Sequence, residues 1–219
     1  MIRTAVAVTA AALVAVPAAL AASSAGPTTV TVRVEGQART LLPATTVKTA
    51  AGSITRGGAP AGKCPATSAQ GALQDATHGR WTGSWSKQYS EYYLTGILGQ
   101  TESTAKYYWA IYINNAYAES GACEIPLKKG DTVLFAVVPG KGKTPEVLGV
   151  KVPATVKAGA KLAPVVVAYT AKGKAQPLSG ATVKIGTTTV HSGNGGKVAG
   201  VVLTHPGKVA IDVSKTGYI

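Results

Sequence analysis

Few residues in this chain are of the kinds that make and break bonds, and their spacing gathers them nowhere. The three histidines, His78, His191 and His205, are far apart; they are read at a helix end and in two turns. There is no His-Glu-x-x-His and no Gly-x-Ser-x-Gly, so neither a zinc-held water nor a nucleophilic serine is announced. The nine acidic residues stand singly. A hydrolytic carboxylate pair meets in space, not in sequence, and Glu91 and Glu102, each beside aromatic residues, are the candidates for one. What does crowd together is rings: Trp81, Trp85, Tyr89, Tyr92 and Tyr93. Indole and phenol groups join a large apolar body to a polar tip, which suits recognition. The expectation is a binding protein, not an enzyme. Gly83 and Ser84 predict a loop for this run. Its rings either complete a small core or form a platform for a planar cofactor, a glycan or a peptide, and the sequence leaves both readings open.

The chemistry of the two cysteines, Cys64 and Cys123, depends on compartment. Residues 1–22 carry an export signal: Arg3, an almost wholly apolar run from Ala5 to Leu20, and the small-x-small triplet Ala19-Leu20-Ala21. Cleavage is expected after Ala21 or Ala22. The alternative, an N-terminal membrane anchor, has a short apolar run for a span that needs about 20 residues. No second apolar run follows, so the mature chain is expected to carry no membrane span. In an exported chain an even cysteine count predicts a disulfide. Two free thiols or half a metal site are the alternatives, and no paired histidines stand nearby to complete a zinc site.

The net charge of +13 comes from 22 basic and 9 acidic residues. A nucleic-acid footprint needs that charge gathered. Here it is scattered, densest at Lys128-Lys129, Lys141-Gly-Lys143 and Lys172-Gly-Lys174. Scattered lysine keeps strand edges soluble, or gives a loose attraction to an anionic cell wall or membrane surface. No nucleic-acid partner is expected. The location predicted is secreted or extracellular, with cell-wall association compatible with the charge.

The elements that must position the rings and cysteines are mostly strands. The hydrophobic fraction is 46% and the charged fraction 14%, and the content leans to Val and Thr, which favour extended backbone. Val30, Val32 and Val34 alternate with polar residues from Thr28 to Glu35, a half-buried strand. A second strand is predicted from Ala38 into Leu42, with Leu42–Thr46 turning after it. Residues 49–63 read as loop. The one helix is signalled by Thr67-Ser-Ala-Gln70, a capping-box pattern. Ala69, Ala72, Leu73 and Ala76 form its apolar face, and Gly79 stands where a left-handed residue ends a helix. Tyr107–Ile113 reads as a strand, Asn114-Asn115 as a hairpin turn, and Thr132–Val138 as the last strand of a first domain. Residues 139–145, rich in Pro, Gly and Lys, read as a linker. Beyond it short valine-rich strands are predicted at Glu146–Val152, Leu162–Thr170, Ala181–Ile185, Lys197–Leu203 and Lys208–Val213, a spacing that suggests a β-sandwich.

Tyr107-Tyr-Trp-Ala-Ile-Tyr-Ile-Asn-Asn115, Ala118-Glu-Ser-Gly121 and Pro126-Leu-Lys-Lys-Gly-Asp-Thr-Val-Leu-Phe135 resemble the transcobalamin-like C-terminal domain, a domain of unknown function in secreted bacterial proteins. The preceding valine strand and single helix match in order, so the resemblance covers residues 28–138. It implies a β-grasp-like α+β fold, a small sheet wrapped on one helix. It also implies soluble-ligand binding, with cobalamin (a corrinoid) the cofactor it raises. The chain departs from that family in having no large helical domain and in carrying Asn114-Asn115 where Asn-Gly is usual. Pro177–Val183, Gly196-Lys197, His205–Lys208 and Lys215–Tyr218 resemble bacterial immunoglobulin-like and carboxypeptidase-regulatory-like modules. Residues 146–219 are therefore expected to form an immunoglobulin-like β-sandwich, incomplete if a further strand follows Ile219. The whole is read as a mainly β, secreted, non-catalytic binding protein for a small molecule, a glycan or a cell-surface partner. A surface spacer or adhesion protein without a small-molecule ligand is the alternative, and corrinoid binding a second one.

Overall fold

Val30, Val32 and Val34 are buried while the residues between them are not, as a period of two on a half-covered sheet requires. They lie on β1 (Thr29–Glu35), which returns as antiparallel β2 (Thr40–Lys48). The computed structural model describes residues 26–56, 60, 62–103 and 106–219; the predicted export signal, residues 1–22, lies outside them. The expected turn at Leu42–Thr46 is corrected. The chain stays extended through Pro43 because β2 is the edge of its sheet. The register also slips between the pairings of Val32 and Val34, and a residue without an N–H is tolerated at such an edge bulge.

Helix α1 (Ala69–Thr77) starts one residue later than the capping box suggests. Ser68 is the N-cap, accepting from the Gly71 N–H at 3.3 Å and donating to the Pro65 carbonyl at 2.7 Å. Gln70 does not reach back to cap. It is fully buried, with neither amide atom partnered among the described residues. Gly71 has a steric reason: a Cβ there would overlap the Ala66 carbonyl. The helix closes through His78 and Gly79, both left-handed, at φ 52° and 74°.

The chain next folds β3 (Trp81–Ser86), β4 (Glu91–Ile97) and β5 (Gln100–Thr101) into an antiparallel meander. The loop expected over residues 81–93 is thus corrected to a hairpin. Alternate rings and aliphatics face inward there, and cross-strand pairing outweighs the turn propensity of Gly83 and Ser84. Then come β6 (Tyr107–Ile113), β7 (Ala116–Tyr117) and β8 (Thr132–Pro139). Asn114 and Asn115 turn the β6–β7 hairpin at φ 51° and 67°, the positive pair that a two-residue turn demands. The five-stranded sheet runs β2-β1-β8-β6-β7, with β1 and β8 parallel at its centre and every other pair antiparallel.

One face of this sheet carries Val30, Val32, Val34, Trp109, Val133 and Phe135. They pack against Ala69, Ala72 and Leu73 of α1 and against Trp81, Tyr92 and Ile97 of the meander. The other face presents Ala110, Tyr112, Leu134, Ala136 and Val138, which pack with Val147, Tyr169 and Ile219 from the C-terminal half. Because both faces are covered, β8 reads as a continuous apolar run.

Residues 140–145 bend into β9 (Val147–Lys151). There follow β10 (Lys161–Leu162), β11 (Val165–Tyr169), β12 (Ala175–Pro177), β13 (Thr182–Ile185), β14 (Thr188–His191), β15 (Val201–Val202) and β16 (Ile211–Ser214). They make two three-stranded antiparallel sheets, β12-β11-β9 and β14-β13-β16, and a short β10–β15 pair. Val166, from the first sheet, and Val183 and Ile185, from the second, share one core with Leu162, Ala181 and Val198. The strand expected from Leu162 to Thr170 is broken at Pro164, which cannot donate to a ladder. β12 and β14 lie where no strand is predicted from the sequence, and His191 sits on a strand and not in a turn. Among the described residues no helix is long and apolar enough to cross a membrane.

Candidate functional site

The hairpin β3–β4 sorts its rings by side. Trp81, 1% exposed, and Tyr92, 3% exposed, point into the core, where they meet edge to face with centroids 5.1 Å apart. Their polar tips are satisfied: the Trp81 indole N–H donates to Gln74 Oε1 at 2.6 Å, and the Tyr92 hydroxyl donates to the Arg56 carbonyl at 3.0 Å. The Arg56 guanidinium lies 4.7 Å from the Trp81 ring centroid. Trp81 thus holds the hairpin to α1, and Tyr92 holds it to the segment at Arg56. Trp85 is half-buried and packs edge-on against Tyr92. Tyr89, at the hairpin tip, is 66% exposed and Tyr93 is 48% exposed. A single platform of five rings is thus corrected. A strand throws successive side chains to opposite faces, so two of the five are core, one lies between, and two are presented to solvent.

Tyr89 and Tyr93 border a cleft of about 620 Å³ between the β3–β4 hairpin, β6 and the segment from Tyr117 to Glu124. Its lining includes Tyr108, Trp109 and Tyr117, none of them singled out from the sequence as site residues. Their signal was present in the doubly aromatic β6 and in Ala118–Gly121, but only the fold brings these segments opposite the hairpin. Glu91, Glu102, Glu119 and Glu124 also line it, four of the nine acidic residues in a chain of net charge +13. Among the described residues no lysine, arginine or histidine does.

The two carboxylates anticipated from sequence are both here, and both are engaged. Glu91 accepts from the backbone N–H of Cys123 at 2.9 and 3.1 Å and from that of Tyr92 at 2.9 Å. Burial pushes its carboxyl above the ordinary range, against the pull of those amides. Glu102 accepts from the Tyr93 hydroxyl at 2.8 Å; burial, then the Glu102 carboxylate, raises the Tyr93 phenol. Tyr117 is pushed up to about 12 by the neighbouring Tyr108 hydroxyl, then by burial and the charge of Glu119. These phenols stay protonated at neutral pH and serve as donors and apolar walls.

One end of the cleft is pinned covalently. Cys64 and Cys123 form a disulfide with Cα atoms 4.8 Å apart, closing 59 residues of sequence. The bridge ties the approach to α1 not to a strand but to the loop before β8, and α1 meets that loop again where the Gln70 N–H donates to the Ala122 carbonyl at 3.1 Å. Gly121, Ala122 and Glu124 in that loop are cleft residues. No group of three potential metal ligands occurs among the described residues.

No curated protein matches the chain. Residues 68–138, running from the cap of α1 to the end of the five-stranded sheet and containing the whole lining of the cleft, match the model of a family described as a domain of unknown function (DUF4430).

Proposed function

We propose that this chain is an exported, non-catalytic binding protein. In this reading its N-terminal half is a β-grasp-like domain related to the transcobalamin-like C-terminal domain, and its C-terminal half an immunoglobulin-like sandwich. Supporting the first assignment is a mixed sheet with parallel first and last strands at its centre and one helix across its face. Supporting the second are two three-stranded antiparallel sheets on a common core. The observation that carries the functional reading is the cleft, with the Tyr89 and Tyr93 rings open at its mouth. Concave sites with aromatic walls and a few placed polar groups are where ligands bind. Its carboxylates favour holding over catalysis. Glu91 is committed to backbone amides and Glu102 to a phenol, and among the described residues no histidine lines the cleft to exchange a proton.

Titrating the mature protein with a cell-wall glycan, a mixed peptide pool and hydroxocobalamin, followed by calorimetry and by Trp85 fluorescence, tests this. One of the three is expected to bind and to lose affinity in a Tyr89→Ala/Tyr93→Ala variant. Heat and fluorescence unaffected by all three would sink the idea.

A second reading, a surface spacer, is favoured by the join between the halves. Tyr112 donates to the Pro145 carbonyl at 2.9 Å, the Leu148 N–H to the Ile219 carbonyl at 2.7 Å, and the Tyr117 N–H to the Ala171 carbonyl at 2.9 Å. A spacer predicts retention on anionic cell-wall material that weakens with salt, with no response to the small probes.

A further inference from the structure

The backbone of β6 is open where it borders the cleft. Paired residues of β6 and β8 have numbers that sum to the same total, and the Asn114 N–H donates to the Thr132 carbonyl within that register. In an antiparallel ladder the direction of the polar groups alternates. Even-numbered residues of β6 therefore turn their N–H and C=O toward β8, and odd-numbered residues turn theirs to the opposite edge. That edge is closed at one end by Tyr107, which exchanges both bonds with Ser103 at 2.7 and 3.2 Å. It is closed at the other by the Ala118 N–H donating to the Ile111 carbonyl at 2.9 Å. Between these, the N–H and C=O of Trp109 and the N–H of Ile111 have no partner among the described residues. The gap spans four residue steps of strand, roughly 13 Å at the usual rise. The indole Nε1 of Trp109, a residue 7% exposed that lines the same cleft, is likewise buried without an acceptor.

An unpaired stretch of strand edge is a template for an added strand. Charge decides which kind. Glu102, Glu119 and Glu124 line the same cleft as this gap, with no basic residue in the lining among the described residues. The rings of Tyr89, Tyr93, Tyr108 and Tyr117 stand beside them, and aromatic faces attract cations. The chemistry of this acidic, tyrosine-walled cleft fits a cationic strand, and a gap of roughly 13 Å takes about four residues of extended chain.

We propose that the cleft takes a short extended peptide of another protein, its backbone paired with Trp109 and Ile111 on the open edge of β6 and a lysine or arginine side chain received by Glu102, Glu119 and Glu124. The inference rests on the cleft being the binding site and adds the ligand's class. The donors left free on β6 and on the Trp109 indole are matched by peptide carbonyls, and the free Trp109 carbonyl by a peptide N–H.

The test is an amide-resolved NMR titration of the full mature chain with three blocked pentapeptides: Val-Thr-Lys-Thr-Val, the same with acetylated lysine, and the same with the central nitrogen methylated. The lysine peptide is expected to shift the Trp109 and Ile111 amides and the Trp109 indole signal. Acetylation is expected to weaken binding severalfold, and Glu102→Gln/Glu119→Gln/Glu124→Gln by about tenfold, as three partly exposed ion pairs allow. Methylation removes the backbone donor and is expected to abolish the shifts. Equal binding of the acetylated or methylated peptide overturns the proposal, as do shifts located elsewhere, or ligand-free changes at the same amides with protein concentration, which would assign the edge to a second copy. Chitotetraose or hydroxocobalamin moving the cleft amides while no peptide does would overturn the peptide assignment and keep the cleft as a binding site. Silence from every probe overturns both.

Discussion

The carboxylate of Glu91 takes the backbone N–H of Cys123 between its two oxygens, at 2.9 and 3.1 Å. This single contact joins β4 to the disulfide loop and so fixes one corner of the cleft. Replacing Glu91 by Ala strands the Cys123 and Tyr92 amides, and hydrogen bonds to a charged group are worth about 1.5–3 kcal/mol. Glu91→Ala is expected to lower the stability read from urea unfolding by about 2 kcal/mol, with little change in the slope.

The same residue gives a pH signature. Burial holds the folded-state carboxyl above its usual 4.5, so the folded protein binds that proton more tightly than the unfolded chain. The proton-linked part of the Glu91 contribution is then present below the ordinary carboxylate range and is lost as pH rises through the raised folded value, while the hydrogen bonds to the two amides remain. The melting temperature of the native protein should fall relative to that of Glu91→Gln as pH rises through that window, with the difference constant on either side of it. A native-minus-variant difference that is flat with pH would contradict this account.

Gly121 is required by Glu91. A Cβ at position 121 would overlap the Glu91 carboxylate, so Gly121→Ala must push the carboxylate off its amides. A loss of about 1–3 kcal/mol is expected. The three atoms nearest to the added methyl are Oε2, Cδ and Cγ of Glu91, so in the Glu91→Ala background most of that loss should disappear. A double-mutant cycle measures the coupling.

Removing the disulfide with Cys64→Ser/Cys123→Ser frees a loop of 59 residues. The chain-entropy model assigns about 4 kcal/mol to such a loop. Thermal melting with and without reductant checks the figure, and any ligand response should fall together with it, since the bridge holds the Gly121–Glu124 wall.

The two populations of rings should separate cleanly. Trp81→Ala removes a fully buried indole and is expected to cost about 3–5 kcal/mol. Tyr89→Ala touches a solvent-facing ring and should stay within about 0.5 kcal/mol. If Tyr89→Ala destabilises as strongly as Trp81→Ala, the ring belongs to the core and not to the mouth of the cleft.

Local patterns determined much of this protein. The valine alternation of β1, the aromatic period of β6, the Asn114-Asn115 turn and the small apolar face of α1 are set by neighbours within a few residues, so spacing alone specifies them. Pairing Cys64 with Cys123 followed from their being the only two cysteines. Tertiary structure decided what depends on partners remote in sequence. Pro43 stays in a strand because β2 is an edge. Ser68, not Thr67, caps the helix where the Ala66 carbonyl crowds Gly71. Trp81 and Tyr92 go inward while Tyr89 and Tyr93 go outward, since a hairpin, unlike the loop its glycine and serine suggested, alternates its faces. The cleft was least legible of all. Its walls come from the hairpin, β6 and the disulfide loop, which are brought together only when β8 inserts beside β1. No local spacing records which acidic and aromatic residues will then face the same space.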